Sequence, residues 1–323
     1  MVFNKIFLGG LLLTLLCIVE GRAKEDKFLK QTLSKVRGGL PEKEIELFKK
    51  DPKNKPTLDF TPTGKKAQPV SAESAGRSKF NSKPPSSFII GGVRASLKQF
   101  PWNVYLRIDN TWLCGGSLIA DNAVLTAAHC VDDYSTFEVS AGGIDRSLPE
   151  TNEQFRNTTD VVVHPEYNKT NLINNIAILL LETPFVLNAY VNVARLPRQV
   201  DASSTFSGIS TLISGYGTTT NYGETSRFLN FVRLTTITNS KCASYYGSPP
   251  IVSSTICTAP GAKATCRGDG GNALVYKEAD GLYTVIGVSS FTSNPCTSLP
   301  SGYTRVASFL GFISDNTDIA IRA

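Results

Sequence analysis

Two short motifs hold the residues of this chain best suited to covalent chemistry. Thr126-Ala127-Ala128-His129-Cys130 carries one of only two histidines, and Cys266-Arg267-Gly268-Asp269-Gly270-Gly271 gathers three glycines around an aspartate. An imidazole can take and return a proton near neutral pH. A glycine-rich loop offers backbone N–H groups to a developing oxyanion. Nucleophilic acyl transfer needs three side-chain parts: a hydroxyl that attacks, an imidazole that takes its proton, and a buried carboxylate that fixes the imidazole's tautomer. Metal chemistry is the weaker alternative. The histidines are His129 and His164 alone, and the chain has no Cys-x-x-Cys pair. We therefore expect neither a metal nor a cofactor.

The N-terminal residues bear on the compartment. A short basic run at 1–5 leads into an apolar run at 6–19, broken only by Gly9, Gly10 and Thr14, and small residues follow at Gly21 and Ala23. That is the pattern of a secretory signal peptide over residues 1–23. Read as an anchor, the apolar run is too short to span a bilayer, and no later segment reaches spanning length. A secreted, extracellular protein with no membrane span is expected. Cys17 leaves with the leader, and Cys114, Cys130, Cys242, Cys257, Cys266 and Cys296 remain. In an oxidising compartment these imply up to three disulfides, whose pairing spacing alone leaves open.

The net charge of +6 is unevenly placed. Residues 24–88 hold 15 Lys/Arg against 8 Asp/Glu, whereas residues 89–323 hold 16 against 18. The basic character belongs to an extension rather than to the body, so nucleic acid is not an expected partner. The extension is either a solvated, flexible segment or a binder of an acidic partner or surface.

Three further features describe the elements that must position the two motifs. Residues 24–50 have the apolar spacing of one or two short amphipathic helices, but Pro52, Pro56, Pro62, Pro69, Pro84 and Pro85 follow. We read 24–88 as a basic, largely disordered pro-region or linker. From Ile89 onward short β-rich runs recur at 102–108, 136–141, 160–163, 176–181 and 282–291, separated by Gly, Asn, Asp, Ser and Pro. Many short strands with turn signals predict an all-β sandwich or barrel. Residues 306–321 predict a closing C-terminal helix.

The two motifs, with Ile89-Ile90-Gly91-Gly92, Cys114-Gly115-Gly116-Ser117-Leu118-Ile119, His164-Pro165, Asn175-Ile176-Ala177 and Gly215-Tyr216-Gly217 in the same order, resemble the chymotrypsin/trypsin family of serine proteases over residues 89–323. The resemblance implies two six-stranded antiparallel Greek-key barrels with a helix at the C-terminus. It implies that His129 holds the general-base position. Asn175 stands where the family has its aspartate, and Gly270 where it has its serine. Asn272 replaces a usual proline. Since two of three catalytic groups are replaced, the expectation is that the chain is not an enzyme. It would be a protease homologue acting by protein binding, as decoy, cofactor or adaptor toward an active protease, its substrate or an inhibitor. The alternative is an active endopeptidase of elastase-like or chymotrypsin-like specificity, and a third reading makes the basic extension the functional part. The short loops look similar to those of insect members.

The resemblance also implies an oxyanion hole at the N–H groups of Gly268 and Gly270, and an activation site at Phe88–Ile89 whose new amino group would pair with Asp269. Cleavage there and retention of 24–88 are both open. The specificity pocket would hold Ala264, Thr292 and Ser301, and the disulfides would be Cys114–Cys130, Cys242–Cys257 and Cys266–Cys296. Asn157 and Asn168 begin glycosylation sequons in predicted loops. Residues 143–153 resemble the family's calcium loop, with Glu150 and Glu153 kept, but Gly143 falls where a third ligand carboxylate would be, so calcium is not expected. His164 is expected to be structural.

Overall fold

The computed structural model describes the backbone of Leu58–Asp59 and residues 89–323. The leader and most of the extension, Phe88 included, lie outside the described residues. Among the described residues fifteen strands form: β1 (Leu58–Asp59), β2 (Val93–Arg94), β3 (Asn103–Ile108), β4 (Trp112–Ala120), β5 (Ala123–Thr126), β6 (Phe137–Ala141), β7 (Gln154–Thr158), β8 (Asp160–Val163), β9 (Ala177–Leu180), β10 (Ser210–Gly215), β11 (Asn230–Ile237), β12 (Thr255–Thr258), β13 (Ala273–Lys277), β14 (Tyr283–Ser293) and β15 (Ser301–Arg305). Among the described residues three short helices accompany them, α1 (Ala128–Val131), α2 (Asn239–Tyr246) and α3 (Leu310–Asp315).

The strands sort into two antiparallel sheets, as the sequence leads one to expect. The N-terminal sheet runs β7-β6-β3-β4-β5-β9-β8. The C-terminal one runs β14-β13-β10-β11-β12-β15, and β15 pairs back onto β14, which closes a six-stranded barrel. The local causes are ordinary. Asp109 and Asn110, both at positive φ, turn β3 into β4 so that Ile108 pairs with Trp112. Along β11, Asn230, Val232, Leu234 and Thr236 are buried while Arg233 and Thr235 face out, the period of two that a barrel wall requires. Ile213, Val232, Leu234, Ile256, Leu274, Ile286 and Tyr303 fill the closed barrel, and the fully buried Ile89 side chain packs among them.

Three details depart from expectation. The C-terminal helix is shorter than residues 306–321: a 3-10 turn at Val306–Phe309 leads into α3, which ends at Asp315. Asn316 and Thr317 side chains donate to the carbonyls of Phe312 and Ile313, ending the helix. Arg322 then fastens the tail to Leu196 O and Glu278. The second departure is α2, which has a Thr238 N-cap and no apolar stripe to announce it. The third is Asn157, which lies exposed on β7 rather than in a loop. Asn168 is exposed in a turn, where its side-chain oxygen accepts from the Thr170 amide.

Candidate active-site cleft

The first barrel supplies the imidazole. β5 ends at Thr126, whose Oγ1 donates to Gly115 O at 2.8 Å, and the chain turns at once into α1 with His129 in it. A disulfide from Cys130 to Cys114 ties this turn to β4. Asn175 lies two residues before β9, fully buried, and its backbone carbonyl accepts from Thr304 Oγ1 of the second barrel at 2.8 Å. Gly270 comes from the second barrel, on the loop between β12 and β13. Gly115 N donates to Gly270 O at 2.8 Å, Gly271 N donates to Ser289 O at 2.9 Å, and the Cys266–Cys296 disulfide holds the loop's start. With Cys242–Cys257, all three implied bridges are formed.

Close approach explains one of the sequence's glycine motifs. A Cβ at Gly217 would lie 2.3 Å from the Asp269 carboxyl carbon, so only glycine lets that strand end pass the carboxylate. Asp269 is wholly buried. Its Oδ1 accepts from Gly217 N at 2.9 Å and its Oδ2 from Cys266 N at 3.0 Å, and no cation among the described residues pairs with it. Burial pushes its pKa up to about 7. Ile89, at φ +37° within the continuous chain, is the nearest described residue to the expected cut, and Phe88 lies outside the described residues.

Asn175 does more than replace a carboxylate. Its Oδ1 accepts the backbone N–H of His129 at 2.9 Å, and its Nδ2 donates to Ser290 Oγ and to His129 Nδ1, both at 2.8 Å. A backbone N–H can only donate, so it fixes which way the amide faces. Nδ1 of His129 must therefore accept, and the neutral ring carries its proton on Nε2. A carboxylate at 175 would select the opposite tautomer. Burial of the ring pushes its pKa down to about 4, which keeps it neutral at physiological pH.

Position 270 bears no hydroxyl, and the imidazole leans into the space. A Cβ built on Gly270 would lie 2.6 Å from His129 Nε2. The neighbouring hydroxyls do not face that nitrogen. Ser290 Oγ is engaged by Asn175, and Thr265 Oγ1 lies 3.5 Å from Tyr303 OH. The backbone N–H groups of Gly268 and Gly270 enter no hydrogen bond among the described residues, although Asp269 N and Gly271 N on either side are used. The open cleft, of about 30 Å³, is lined by these groups and by Thr265, Cys266, Arg267, Phe291 and Thr292. Thr292 thus borders the cleft. Ala264 and Ser301 are buried and do not line it.

Some residues of the site are not evident from sequence reading. Asn103 Nδ2 donates to Asn272 Oδ1 at 3.2 Å and to Ser214 Oγ at 3.3 Å, and Asn272 Nδ2 donates to Asp269 O at 3.1 Å. This buried polar chain carries the Gly270 loop across the seam between barrels. Asn272 is marked in the sequence only by the proline it replaces. In the 143–153 loop the carboxylates are occupied by the chain itself: Glu150 accepts from the amides of Ile144 and Asp145, and Glu153 from Ser140 Oγ and Glu150 N. Cys114, His129 and Cys130 cluster closely, but both sulfurs are committed to a disulfide. His164 packs edge-on against Phe309 and beside Phe312, away from the cleft. No described helix is long and apolar enough to cross a membrane.

Paired antiparallel barrels with an imidazole on one and a glycine loop on the other define a serine-protease architecture. The family model described as Trypsin matches residues 89–313, and the chain belongs to that family. It is 30% identical to a chymotrypsin of Phaedon cochleariae, over 72% of this chain and 84% of the relative. It is 33% identical to a brachyurin of Leptuca pugilator, over 72% and 99% respectively. The bovine chymotrypsin-like elastase family member 1 is 32% identical over 70% and 88%. Among solved structures, one titled HL collagenase superposes with a TM-score of 0.66 at 30% identity, covering 72% of this chain and all of that one.

These relatives correct one expectation. The two replaced residues lead to the reading that the chain is not an enzyme. The proteins it resembles are a chymotrypsin, an elastase, a brachyurin and a collagenase, which are protease names, and kinship therefore points to an enzyme. The replacements at 175 and 270 describe the chemistry of two positions and do not by themselves set the activity of the chain.

Proposed function

We propose that this chain is a secreted member of the trypsin family that holds extended protein segments in its cleft, serving as decoy, cofactor or adaptor in an extracellular protease pathway. Its partner would be an active serine protease, the substrate of one, or an inhibitor. The observation that supports this is β1. The backbone of Leu58–Asp59 pairs antiparallel with Ser293 and Thr292 at the end of β14, beside the cleft. Strand addition at a sheet edge draws affinity from backbone hydrogen bonds and leaves selectivity to the pockets alongside. The antiparallel direction sends a chain paired at Thr292 toward Phe291, Ser290 and the Gly270 loop. In this reading residues 1–23 are the leader and 24–88 the pro-region, and a cut after Phe88 frees an amino group at Ile89 for Asp269.

A second reading, an endopeptidase of elastase-like or chymotrypsin-like specificity, is favoured by the relatives' names. One experiment separates the two. A fluorescently labelled unfolded polypeptide is mixed with the full chain and followed by anisotropy and by gel, with a fluorophosphonate probe in parallel. Capture of intact polypeptide, with the Thr292 and Ser293 amides protected from hydrogen exchange, supports the binding reading. Fragmentation with probe labelling supports the endopeptidase. Neither capture nor fragmentation would refute both.

A further inference from the structure

N–H donors without a strong acceptor among the described residues border the cleft around Gly270. His129 Nε2–H points into the space the missing side chain leaves, because Asn175 holds Nδ1 as an acceptor. Among the described residues, the hydrogen-bonding atom beside Nε2 is Cys130 Sγ at 3.6 Å, a weak acceptor. The N–H groups of Gly268 and Gly270 are unused among the described residues. Arg267 lines the same cleft, and none of its lining residues is an aspartate or glutamate. Three N–H donors therefore border one small volume.

An uncut peptide does not satisfy this set. Its carbonyl oxygen can take the two loop N–H groups, but the amide N–H that follows it would then meet His129 Nε2–H, donor against donor. A chain that ends there replaces that N–H with a second oxygen. A carboxylate has two oxygens and accepts on both, and charge-assisted hydrogen bonds are the stronger kind.

We propose that this cleft is a receptor for the free C-terminal carboxylate of a peptide with a small last residue. One oxygen takes the N–H groups of Gly268 and Gly270, and the other takes His129 Nε2–H. Thr292 at the border restricts the last side chain to a small one. The proposal rests on the chain-binding reading above and names its ligand as a cut end rather than an intact segment.

The test compares N-acetyl-trialanine with its C-terminal amide, titrated into the full chain at pH 8 by calorimetry and by ¹⁵N NMR of labelled histidine. The acid is expected to bind at least about tenfold more tightly than the amide, as a site built for one hydrogen-bonding partner rejects its mismatched analogue. The spectrum should show Nε2 protonated and Nδ1 bare, with Nε2–H moving on addition of the acid only. Asn175→Asp, which reverses the tautomer, should abolish the preference. If that variant fails to fold, Gly270→Ala, whose methyl fills the same space, should abolish it instead. Equal binding of acid and amide would overturn the carboxylate receptor and leave chain binding standing. A proton found on Nδ1 would overturn it as well. If neither peptide binds, both readings fall.

Discussion

Asp269 and His129 make opposed demands on pH, and separating them tests whether the buried carboxyl stands alone. Asp269 accepts two backbone N–H bonds but has no cation beside it among the described residues, and burial raises its pKa from 3.8 to about 7. Between those values the folded chain keeps a proton that the unfolded chain has lost. Stability from this group is therefore full below pH 4 and falls as pH rises toward 7, by about 4 kcal/mol over the whole window and about 2.5 kcal/mol between pH 5 and 8. His129 runs the other way. Burial lowers its pKa from 6.5 to about 4, so the unfolded chain binds the extra proton. Its contribution is full above pH 6.5 and is lost as pH falls through 4. Part of the ring's surface remains open to solvent, so its share lies below the roughly 3 kcal/mol that the shift alone would give. The two slopes nearly cancel in the native chain, whose stability should change little from pH 5 to 6.5. Urea unfolding at pH 5, 6, 7 and 8, followed by Trp102 and Trp112 fluorescence, should uncover them. His129→Gln should lose about 2–3 kcal/mol from pH 5 to 8. Asp269→Asn sets an amide N–H against a backbone donor and lowers stability at every pH, but its profile should rise over the same range. A profile for Asp269→Asn parallel to that of the native chain would refute the reasoning, because the carboxyl would then be ionised and paired in the fold.

Four other outcomes follow from the same geometry. Gly270→Ser alone should cost about 1–3 kcal/mol by thermal denaturation, because its Cβ would sit 2.6 Å from His129 Nε2 and the ring must retreat while Asn175 still holds it. Combined with Asn175→Asp, it should raise the rate of hydrolysis of small-residue ester substrates above that of the unaltered chain if the cleft keeps its family geometry. Replacing Leu58 and Asp59 together by proline should strengthen binding of added peptides several-fold, since it frees the end of β14; unchanged affinity would show that the segment does not compete. Cutting after Phe88 with chymotrypsin should give a chain starting at Ile89. Pairing of the new ammonium with Asp269 should then flatten the pH 5–8 slope seen in His129→Gln. Persistence of that slope would exclude the pairing.

The barrels were legible because their causes are local. The runs at 160–163 and 282–291 match β8 and β14 almost to the residue, for alternation and turn residues act over a few positions. The C-terminal helix was overestimated because its end depends on Asn316, Thr317 and a distant anchor from Arg322 to Leu196. No periodicity encodes such an anchor. The motifs named His129, Asn175 and Gly270 together, and the structure brings them to one cleft. Asn103 and Ser214 escaped notice because they join the site only by long-range contact through Asn272.

The sequence could name the replacement at 175 but not its consequence. Read as a list, asparagine for aspartate and glycine for serine are two losses. In the structure they are coupled through a single ring. The carbonyl of Asn175 is committed to the His129 backbone, so its amide must donate to Nδ1. The proton then sits on Nε2, the atom that faces position 270. A serine there would meet a donor where a base should offer a lone pair. Gly270 instead removes the side chain and leaves room beside two unused N–H groups. Each replacement fits the other. The change of hydrogen-bond polarity, from one acceptor facing the cleft to a set of donors, gives the pair a shared consequence that neither residue reveals by itself.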